Sequence, residues 1–413
     1  MNTMASESTL HIPEGINYEC TGCGKCCGGW AVPMTEVDYK RISAVDWSQK
    51  LDKFKGRSLF RPLTNLEKSD SPYTHAIKPQ EDGHCPFLVE NLCFIHSQNG
   101  AEAKPSICQL FPYCFNETPS GIYATVSFVS MGVIYNSGKA LSEQREYLES
   151  KLNEFKKLFP EHHPNWSQLQ LMVGEPLSWP DYLAIEGALI DRLKDKSKSI
   201  DMRFLEASRY LIDHAMSRRA QSGQTKTLPA VGVEDHKLKR LDLNLLIALH
   251  RVYFPSAPLS KGEGDFSAAS FLNQVFLSYL LPMRIKLPTG SFSIDELVAL
   301  PWPDNDNDLE DLLFRYFFSR IFAKLYFGAG FGQLSLIAGF HHLIVLLSLI
   351  KLQARALALS REAPVVSLVD LVAAIRQLEK RLGETRLGGY AAPLLELLLF
   401  SHGRLERIVA ASH

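Results

Sequence analysis

Cys20-Thr-Gly-Cys23-Gly-Lys-Cys26-Cys27-Gly-Gly29 is the stretch that decides how the first part of this chain folds. It places four cysteines within eight residues, and its glycines at 22, 24, 28 and 29 permit positive φ angles at which other residues would clash. Backbone N–H groups in such a loop can point at sulfur and stabilise its negative charge, and Lys25 adds a positive charge nearby. The stretch therefore predicts a loop that wraps around a metal.

Four more cysteines follow between residues 85 and 114, on short segments stiffened by proline, and the rest of the chain has none. A cytoplasmic chain keeps its thiols reduced, so a dense thiol cluster indicates thiolates that hold a metal. Metal–thiolate bonds also tie together loops that have little core of their own. We predict that the metal ligands come from the eight cysteines Cys20, Cys23, Cys26, Cys27, Cys85, Cys93, Cys108 and Cys114.

The cysteine spacing does not choose the metal. Four thiolates can hold either tetrahedral zinc or a [4Fe–4S] cluster, and eight cysteines suffice for one site with spare thiols or for two sites. The scarcity of paired histidines favours all-sulfur coordination. His84 and His96 are expected to be neighbours of the ligands or surface groups rather than ligands themselves.

The order of these residues resembles a known family. Cys20-x-x-Cys23-Gly-x-Cys26-Cys27 is followed by Gly83-x-Cys85-Pro-Phe-Leu, Leu92-Cys93-x-Ile-His96 and Lys104-Pro-x-x-Cys108. This pattern is similar to the YkgJ-type cysteine-cluster family of zinc- or iron-chelating proteins, over about residues 18 to 135. The resemblance implies a metal-binding role for the N-terminal part of the chain.

Within that family, Cys26-Cys27-Gly-Gly29-Trp30-x-Val32 and Tyr39 resemble the flagellin lysine N-methylases. Those are bacterial enzymes of similar length with a helical remainder, whose cysteines bind a [4Fe–4S] cluster. The resemblance implies iron–sulfur rather than zinc and, for an enzyme of this kind, S-adenosylmethionine and a protein substrate. Ser130 and Met131 stand where many relatives have a further cysteine, and Cys114 lies outside the shared pattern, so we rank Cys114 below the other seven cysteines.

Composition excludes several classes of protein. The chain has 413 residues, 46% of them hydrophobic and 22% charged, which is typical of a soluble globular protein. Its net charge of −1 provides no global positive field to hold a nucleic acid. The N-terminus lacks the segments of a secretory signal, and the apolar stretch Leu334 to Ile350 is short for a bilayer span. We expect a cytoplasmic protein without a membrane span, and the oligomeric state is left open.

From about residue 142 onward, apolar residues recur at helical intervals, and Asp304-Asn-Asp-Asn-Asp308 is typical of a helix N-cap. We predict a mostly α protein. An irregular, Cys-rich metal-binding domain with short strands covers residues 1–135, and an all-α helical domain covers residues 136–413. Helices are expected over residues 143–159, 179–193, 201–216, 309–327, 333–361, 367–382 and 390–411.

Two other motifs were weighed for chemistry. Phe327-Gly-Ala-Gly-Phe-Gly332 contains G-x-G-x-G, but it follows helical spacing rather than a strand and so predicts a turn between helices. His341-His342, in an apolar stretch, is typical of hydrogen-bonded core histidines. The sequence therefore favours a metal-binding protein with a redox, structural or maturation role. The alternative is a protein lysine N-methylase that uses S-adenosylmethionine and an iron–sulfur cluster.

Overall fold

The computed structural model describes residues 9–28, 31–64, 71–221, 237–256, 266–280, 283–303, 306–383, 387–388 and 391–412. Gly29, Trp30, Asp304 and Asn305, which the sequence interpretation used, lie outside these residues. The chain divides into two units, Met1–His163 and Pro164–His413. The first unit extends past residue 135, and the domain boundary near residue 135 stays a prediction.

Eight short strands occur in the described part of the first unit. They are β1 (Leu10–His11), β2 (Val32–Thr35), β3 (Phe60–Pro62), β4 (Tyr73–Ile77), β5 (Leu88–Val89), β6 (Leu92–Cys93), β7 (Tyr113–Thr118) and β8 (Gly121–Val126). They form two three-stranded sheets, ordered β1-β8-β7 and β2-β4-β3, and a β5-β6 hairpin. β1 runs parallel to β8, and the other pairs are antiparallel. The short strands that the sequence predicted for this part of the chain are therefore present.

Five described helices accompany these strands: α1 (Glu36–Ser43), α2 (Phe94–Asn99), α3 (Ser106–Leu110), α4 (Met131–Ile134) and α5 (Arg145–Leu158). The β5-β6 hairpin turns at Glu90 and Asn91, whose φ angles of 50° and 65° are those of a two-residue type I′ turn. This tight turn brings Cys93 back beside Leu88, its partner in the ladder.

An apolar core supports the cysteine-bearing segments of the first unit. Trp47 lies within it, and its Nε1 donates a hydrogen bond to the Ile42 carbonyl over 2.8 Å. Cys85, Cys93 and Cys108 pack against the same core, so their sulfurs lie where the core meets the loops. The buried members of the core are Val32, Met34, Ile42, Trp47, Phe54, Leu59, Ile77, Phe87 and Ile95.

Helices dominate the second unit. They are α6 (Trp179–Leu193), α7 (Ile200–Gln221), α8 (Arg240–Tyr253), α9 (Ala268–Leu277), α10 (Ile294–Val298), α11 (Asn307–Phe322), α12 (Leu336–Ser360), α13 (Leu368–Leu382), α14 (Ala391–Leu399) and α15 (His402–Ala410). α12 is buried along nearly its whole length and packs against α7, α10, α13 and α15. By length and composition alone it is the one described helix that could cross a membrane, and 83% of its most apolar stretch is buried.

Three short strand pairs accompany these helices. β9 (Gln170–Met172) pairs with β10 (Glu175–Pro176), and β12 (Ile285–Leu287) pairs with β13 (Gly290–Phe292), both antiparallel. β11 (Phe266–Ser267) runs parallel to β14 (Leu387–Gly388). The pairs are short, and the chain is mostly α, as the sequence predicted.

Most helices form where the periodicity predicts them, with informative differences. The predicted helix over residues 390–411 is two helices, because the chain leaves helical geometry at Phe400 and Ser401. The sequence interpretation did not identify α8 and α9.

Asp306 caps α11 by accepting hydrogen bonds from the backbone N–H groups of Asp308 and Leu309. Gly328–Gly330 forms a 3-10 turn between α11 and α12. This confirms the prediction that the glycine motif is a turn between helices and not a nucleotide-binding loop after a strand.

Buried histidines join the helices of the second unit, as the sequence predicted for His341 and His342. His341 contacts the Ser208 hydroxyl at 2.8 Å, and His342 contacts the Tyr253 hydroxyl at 2.8 Å. His250, which the sequence interpretation did not single out, lies 2.8 Å from the Gln353 side-chain oxygen. Burial lowers the pKa of His250 to about 4 and, with the positive charge of Arg320, that of His342 to about 3.

We expect the helical unit to lose stability between pH 7 and pH 5. The pKa of each histidine is about 6.5 in the unfolded chain. Below that pH the histidines become protonated in the unfolded chain, whereas His250 and His342 stay neutral in the folded chain. Acidification therefore lowers the free energy of unfolding, by about 2 kcal/mol for each histidine at pH 5. Urea unfolding followed by helical circular dichroism measures the loss. Equal unfolding free energies at the two pH values would contradict the expectation.

Candidate metal centre

Seven of the eight cysteines line one cavity of about 200 Å³ in the first unit. They reach it from three places: the loop of residues 20–27, the segment that contains the β5-β6 hairpin, and α3. The structure thus brings together thiols that lie far apart in sequence. The lining cysteines are Cys20, Cys23, Cys26, Cys27, Cys85, Cys93 and Cys108.

Backbone hydrogen bonds fix the first cysteine loop against the second group. The Cys27 N–H donates to the Gly24 carbonyl over 2.9 Å, which closes a turn within the loop. The Cys85 N–H donates to the Cys27 carbonyl over 2.8 Å, and an antiparallel bridge pairs Gly28 with His84. These bonds hold Cys27 and Cys85 next to each other independently of any metal.

The glycines of the loop serve two different purposes. Gly22 and Gly24 have φ angles of 61° and 68°, the left-handed conformation that the sequence predicted. Gly28 does not adopt it, so that part of the prediction is wrong. Gly28 is required instead by close packing, because a Cβ there would lie 2.9 Å from Cδ2 of His84. Gly29 lies outside the described residues.

Asp38 positions the helix that carries Cys108. Its buried carboxylate accepts hydrogen bonds from the Ser106 N–H over 3.1 Å and from the Ser106 hydroxyl over 2.9 Å, at the first turn of α3. The same carboxylate accepts a bond from Arg41 over 2.8 Å and completes a capping box with Thr35 at the start of α1. The sequence interpretation missed Asp38, although Thr-x-x-Asp before an apolar run is a capping-box signal.

Replacing Asp38 by alanine is expected to weaken metal retention without removing a ligand. The change leaves the α3 N-terminus and Thr35 without their acceptor, which costs about 1–3 kcal/mol in buried surroundings and loosens Cys108. Asp52→Ala serves as a control, since the Asp52 side chain is 92% exposed. Metal content after a timed chelator challenge measures retention. Identical retention in the two variants would show that Asp38 does not position the site.

Burial and neighbouring thiolates keep the deeper thiols protonated in the protein alone. Burial, together with the negative charges of nearby Cys93, Cys26 and Cys20, raises the pKa of Cys27 to about 11. Burial likewise raises the pKa of Cys85 to about 12 and holds that of Cys108 well above its usual range. A bound metal reverses this preference because it replaces the protons with a larger positive charge.

Two lysines supply positive charge to the thiols. Lys104 lines the cavity, and its charge acts to lower the pKa of Cys27 and Cys108. Lys53 donates a hydrogen bond to the Leu88 carbonyl over 3.0 Å and acts in the same way on Cys85. The sequence interpretation had named Lys25 as the positive charge near the thiols. Lys104 and Lys53 come close to the thiols only when the chain is folded.

Residues 130–132 close one side of the cavity. Ser130, Met131 and Gly132 are among its lining residues, so the position where many relatives have a further cysteine faces the same cavity here. The segment is close to the cysteine loop, because the Cys26 sulfur lies 3.9 Å from the Val129 carbonyl oxygen. His96 also lines the cavity.

Cys114 lies apart from the other seven cysteines. It is exposed, sits on β7 opposite Thr125 of β8, and is absent from the cavity lining. Its sulfur contacts the Pro112 carbonyl at 3.7 Å. Cys114 is therefore outside the group of seven cysteines that line the cavity, the same seven that the sequence ranked above it as metal ligands.

The donor set fits a thiolate-bound metal centre. Seven sulfurs, one imidazole and a lysine line a mostly apolar cavity, and thiolates are the ligands that zinc and iron–sulfur clusters take. Within the ranges that the structure describes, no three side chains of His, Cys, Asp or Glu form a group tight enough to hold a single ion. The seven cysteines share the lining of one cavity.

Comparison with known proteins agrees with this geometry. Residues 19–128 match the CxxCxxCC family model, "Putative zinc- or iron-chelating domain". The CxxCxxCC segment, as we call residues 19–128, contains all eight cysteines and most of the residues that line the cavity. It supports metal binding through cysteine, as the sequence resemblance implied, and it leaves zinc and iron as alternatives.

One relative of the CxxCxxCC segment is an uncharacterized protein of Methanocaldococcus jannaschii. It is 31% identical over 102 residues, which make up 24% of this chain and 30% of that protein. The likeness thus covers less than a third of the relative's length. No solved structure matches the chain.

Proposed function

We propose that the CxxCxxCC segment holds an iron–sulfur cluster, of the [4Fe–4S] type, rather than a single zinc ion. The observation that carries the proposal is the arrangement of seven thiols around one cavity of about 200 Å³. A zinc ion requires four ligands within about 2.3 Å of one point. A [4Fe–4S] cluster fills a volume and takes four cysteine ligands around it, and a cavity lined by seven thiols supplies more than that number.

Four of the seven cysteines are the best candidates for ligands: Cys27, Cys85, Cys93 and Cys108. Cys85, Cys93 and Cys108 pack against the apolar core, which holds their side chains in place. Cys27 is tied to Cys85 through the backbone hydrogen bond between them. Cys20 is exposed and belongs to the outer loop, so we assign it no ligand role in this set.

When bound, such a cluster supplies one-electron chemistry or a structural crosslink. The chain's own residues set the conditions for either role. The core residues Phe87 and Ile95 line the cavity and exclude water from it, while Lys104 offsets part of the thiolate charge. Hydrophobic surroundings and nearby charge are the means by which proteins tune cluster potentials, which favours a redox role over a purely structural one.

Anaerobic purification followed by iron, sulfide and zinc analysis tests the proposal. We expect about four irons and four sulfides per chain and a brown protein whose absorption bleaches on reduction. Electron paramagnetic resonance of the reduced protein identifies the cluster type. One zinc per chain without sulfide, in protein prepared without oxygen, would overturn the proposal.

The lysine N-methylase alternative has only sequence resemblance behind it. The glycine-rich stretch after Phe327 is a turn between helices, so it gives no support to a nucleotide-type cofactor loop. Incorporation of labelled methyl groups into protein lysine is the direct assay for that activity.

A further inference from the structure

Lys104 and Lys53 are two half-buried lysines whose side chains have no carboxylate partner. Within the ranges that the structure describes, no aspartate or glutamate oxygen lies within 4 Å of either ammonium nitrogen. Burial lowers the pKa of Lys53, and the Asp82 carboxylate, which opposes this shift, is bound to the His84 N–H over 2.9 Å. A positive charge withdrawn from water is unfavourable without a negative neighbour, so both lysines need one.

Hydrogen bonds fix the backbone of Lys104 beside the thiol-lined cavity. Its carbonyl accepts a bond from Arg41 over 2.7 Å and another from the Gln109 side chain over 2.7 Å. The next residue, Pro105, accepts the Cys108 N–H over 2.8 Å at the start of α3. The lysine is thus held close to a candidate ligand, and its side chain lines the cavity.

Lys53 is anchored on a different cysteine-bearing segment. Its Nζ donates a hydrogen bond to the Leu88 carbonyl over 3.0 Å, and Leu88 is the ladder partner of Cys93. The Leu88 N–H in turn donates to the Cys85 carbonyl over 3.0 Å. Lys53 is therefore fixed to the segment that carries Cys85 and Cys93, whereas Lys104 is fixed to the segment that carries Cys108.

The cavity itself offers these lysines no negative group. Lys104 is the one charged side chain among the described residues that line it, and no aspartate or glutamate is among them. A [4Fe–4S] centre bound by four thiolates carries a net negative charge, and reduction adds a further electron to it. Such a centre supplies the negative neighbour that both lysines need.

We propose that Lys104, assisted by Lys53, is the counter-charge that raises the reduction potential of the cluster and so stabilises its reduced state. The inference rests on the proposed function. A fixed ammonium in a mostly apolar cavity attracts the more negative, reduced centre more strongly than the oxidised one, and little water is present to screen the difference. The two lysines therefore act on electron transfer and not only on binding of the cluster.

Redox titration of the cluster-loaded full chain, followed by absorption, tests the proposal. Lys104→Met should lower the ratio of reduced to oxidised cluster at a fixed potential about tenfold, a shift of the midpoint by about 59 mV for one electron. Lys53→Met should lower the midpoint by less, because Lys53 does not line the cavity. Lys104→Arg keeps the charge and should stay near the parent. Lys55→Met is the matched control, since Lys55 is 67% exposed and pairs with Asp52 over 2.7 Å.

Iron and sulfide analysis of each variant distinguishes the possible failures. Equal midpoints for Lys104→Met and Lys55→Met, at equal iron and sulfide contents, would overturn this inference and leave the proposed function intact. A midpoint for Lys104→Arg as low as that for Lys104→Met would also overturn it, because packing and not charge would then be the cause. If Lys104→Met does not retain the cluster, the midpoint of Lys53→Met against Lys55→Met decides in the same way. A parent protein with zinc and no iron or sulfide would overturn the proposed function and this inference with it.

Discussion

Cys108→Ser is expected to lose nearly all of the bound metal, whereas Cys114→Ser keeps it. Cys108 lines the thiol-rich cavity, and its packing against the apolar core holds its side chain in place. A serine hydroxyl is a poor ligand at neutral pH, and a site with three of its four thiolates is left open. We expect less than about a tenth of the parent's metal to remain.

Two further variants, Cys114→Ser and Cys20→Ser, serve as controls for Cys108→Ser. Cys114 is exposed on β7 and is not among the residues that line the cavity, so its replacement should leave the metal content unchanged. Cys20→Ser tests the choice of Cys27, Cys85, Cys93 and Cys108 as ligands, because Cys20 lines the cavity yet is exposed. Most metal should remain in that variant. Equal losses in Cys108→Ser and Cys114→Ser would refute the assignment of the site to the cavity.

The second large effect is expected in the helical unit, where Lys324→Met should cost about 3–5 kcal/mol of stability. Lys324 and Glu186 form a buried ion pair, with 3.0 Å between Nζ and Oε2 and side-chain exposures of 1% and 9%. Burial lowers the pKa of Lys324 to about 8 and raises that of Glu186, which shows how unfavourable either charge is without its partner. Methionine in place of Lys324 leaves the Glu186 carboxylate with the Tyr182 hydroxyl as its remaining donor.

The double variant Lys324→Met with Glu186→Gln separates loss of the pair from loss of packing. Because it leaves no uncompensated charge, most of the lost stability should return. Backbone strain is the same in all variants, since residue 324 keeps its φ of 57° and methionine, like lysine, is not β-branched. Urea unfolding followed by circular dichroism gives the free energies. A double variant as unstable as Lys324→Met would show that packing, and not charge, is the cause.

The cysteine spacing and the helical periodicity determined a large part of this protein without further information. A loop with left-handed glycines at 22 and 24 follows from the sequence around Cys20, because φ preferences are set within a residue or two. The helices from residue 145 onward follow from apolar spacing, since each turn repeats within four residues. The histidines of α12 were likewise recognisable as core residues from their apolar neighbours.

Only the tertiary structure decided which of these local features meet. The sequence ranked Cys114 lowest but did not show that it is absent from the cavity lining, and it contained no sign that Lys104 lines the cavity together with the thiols. Asp38 lies 68 residues from Ser106, and its role exists only because α1 and α3 pack together. Such features arise from long-range packing, which local preferences do not encode.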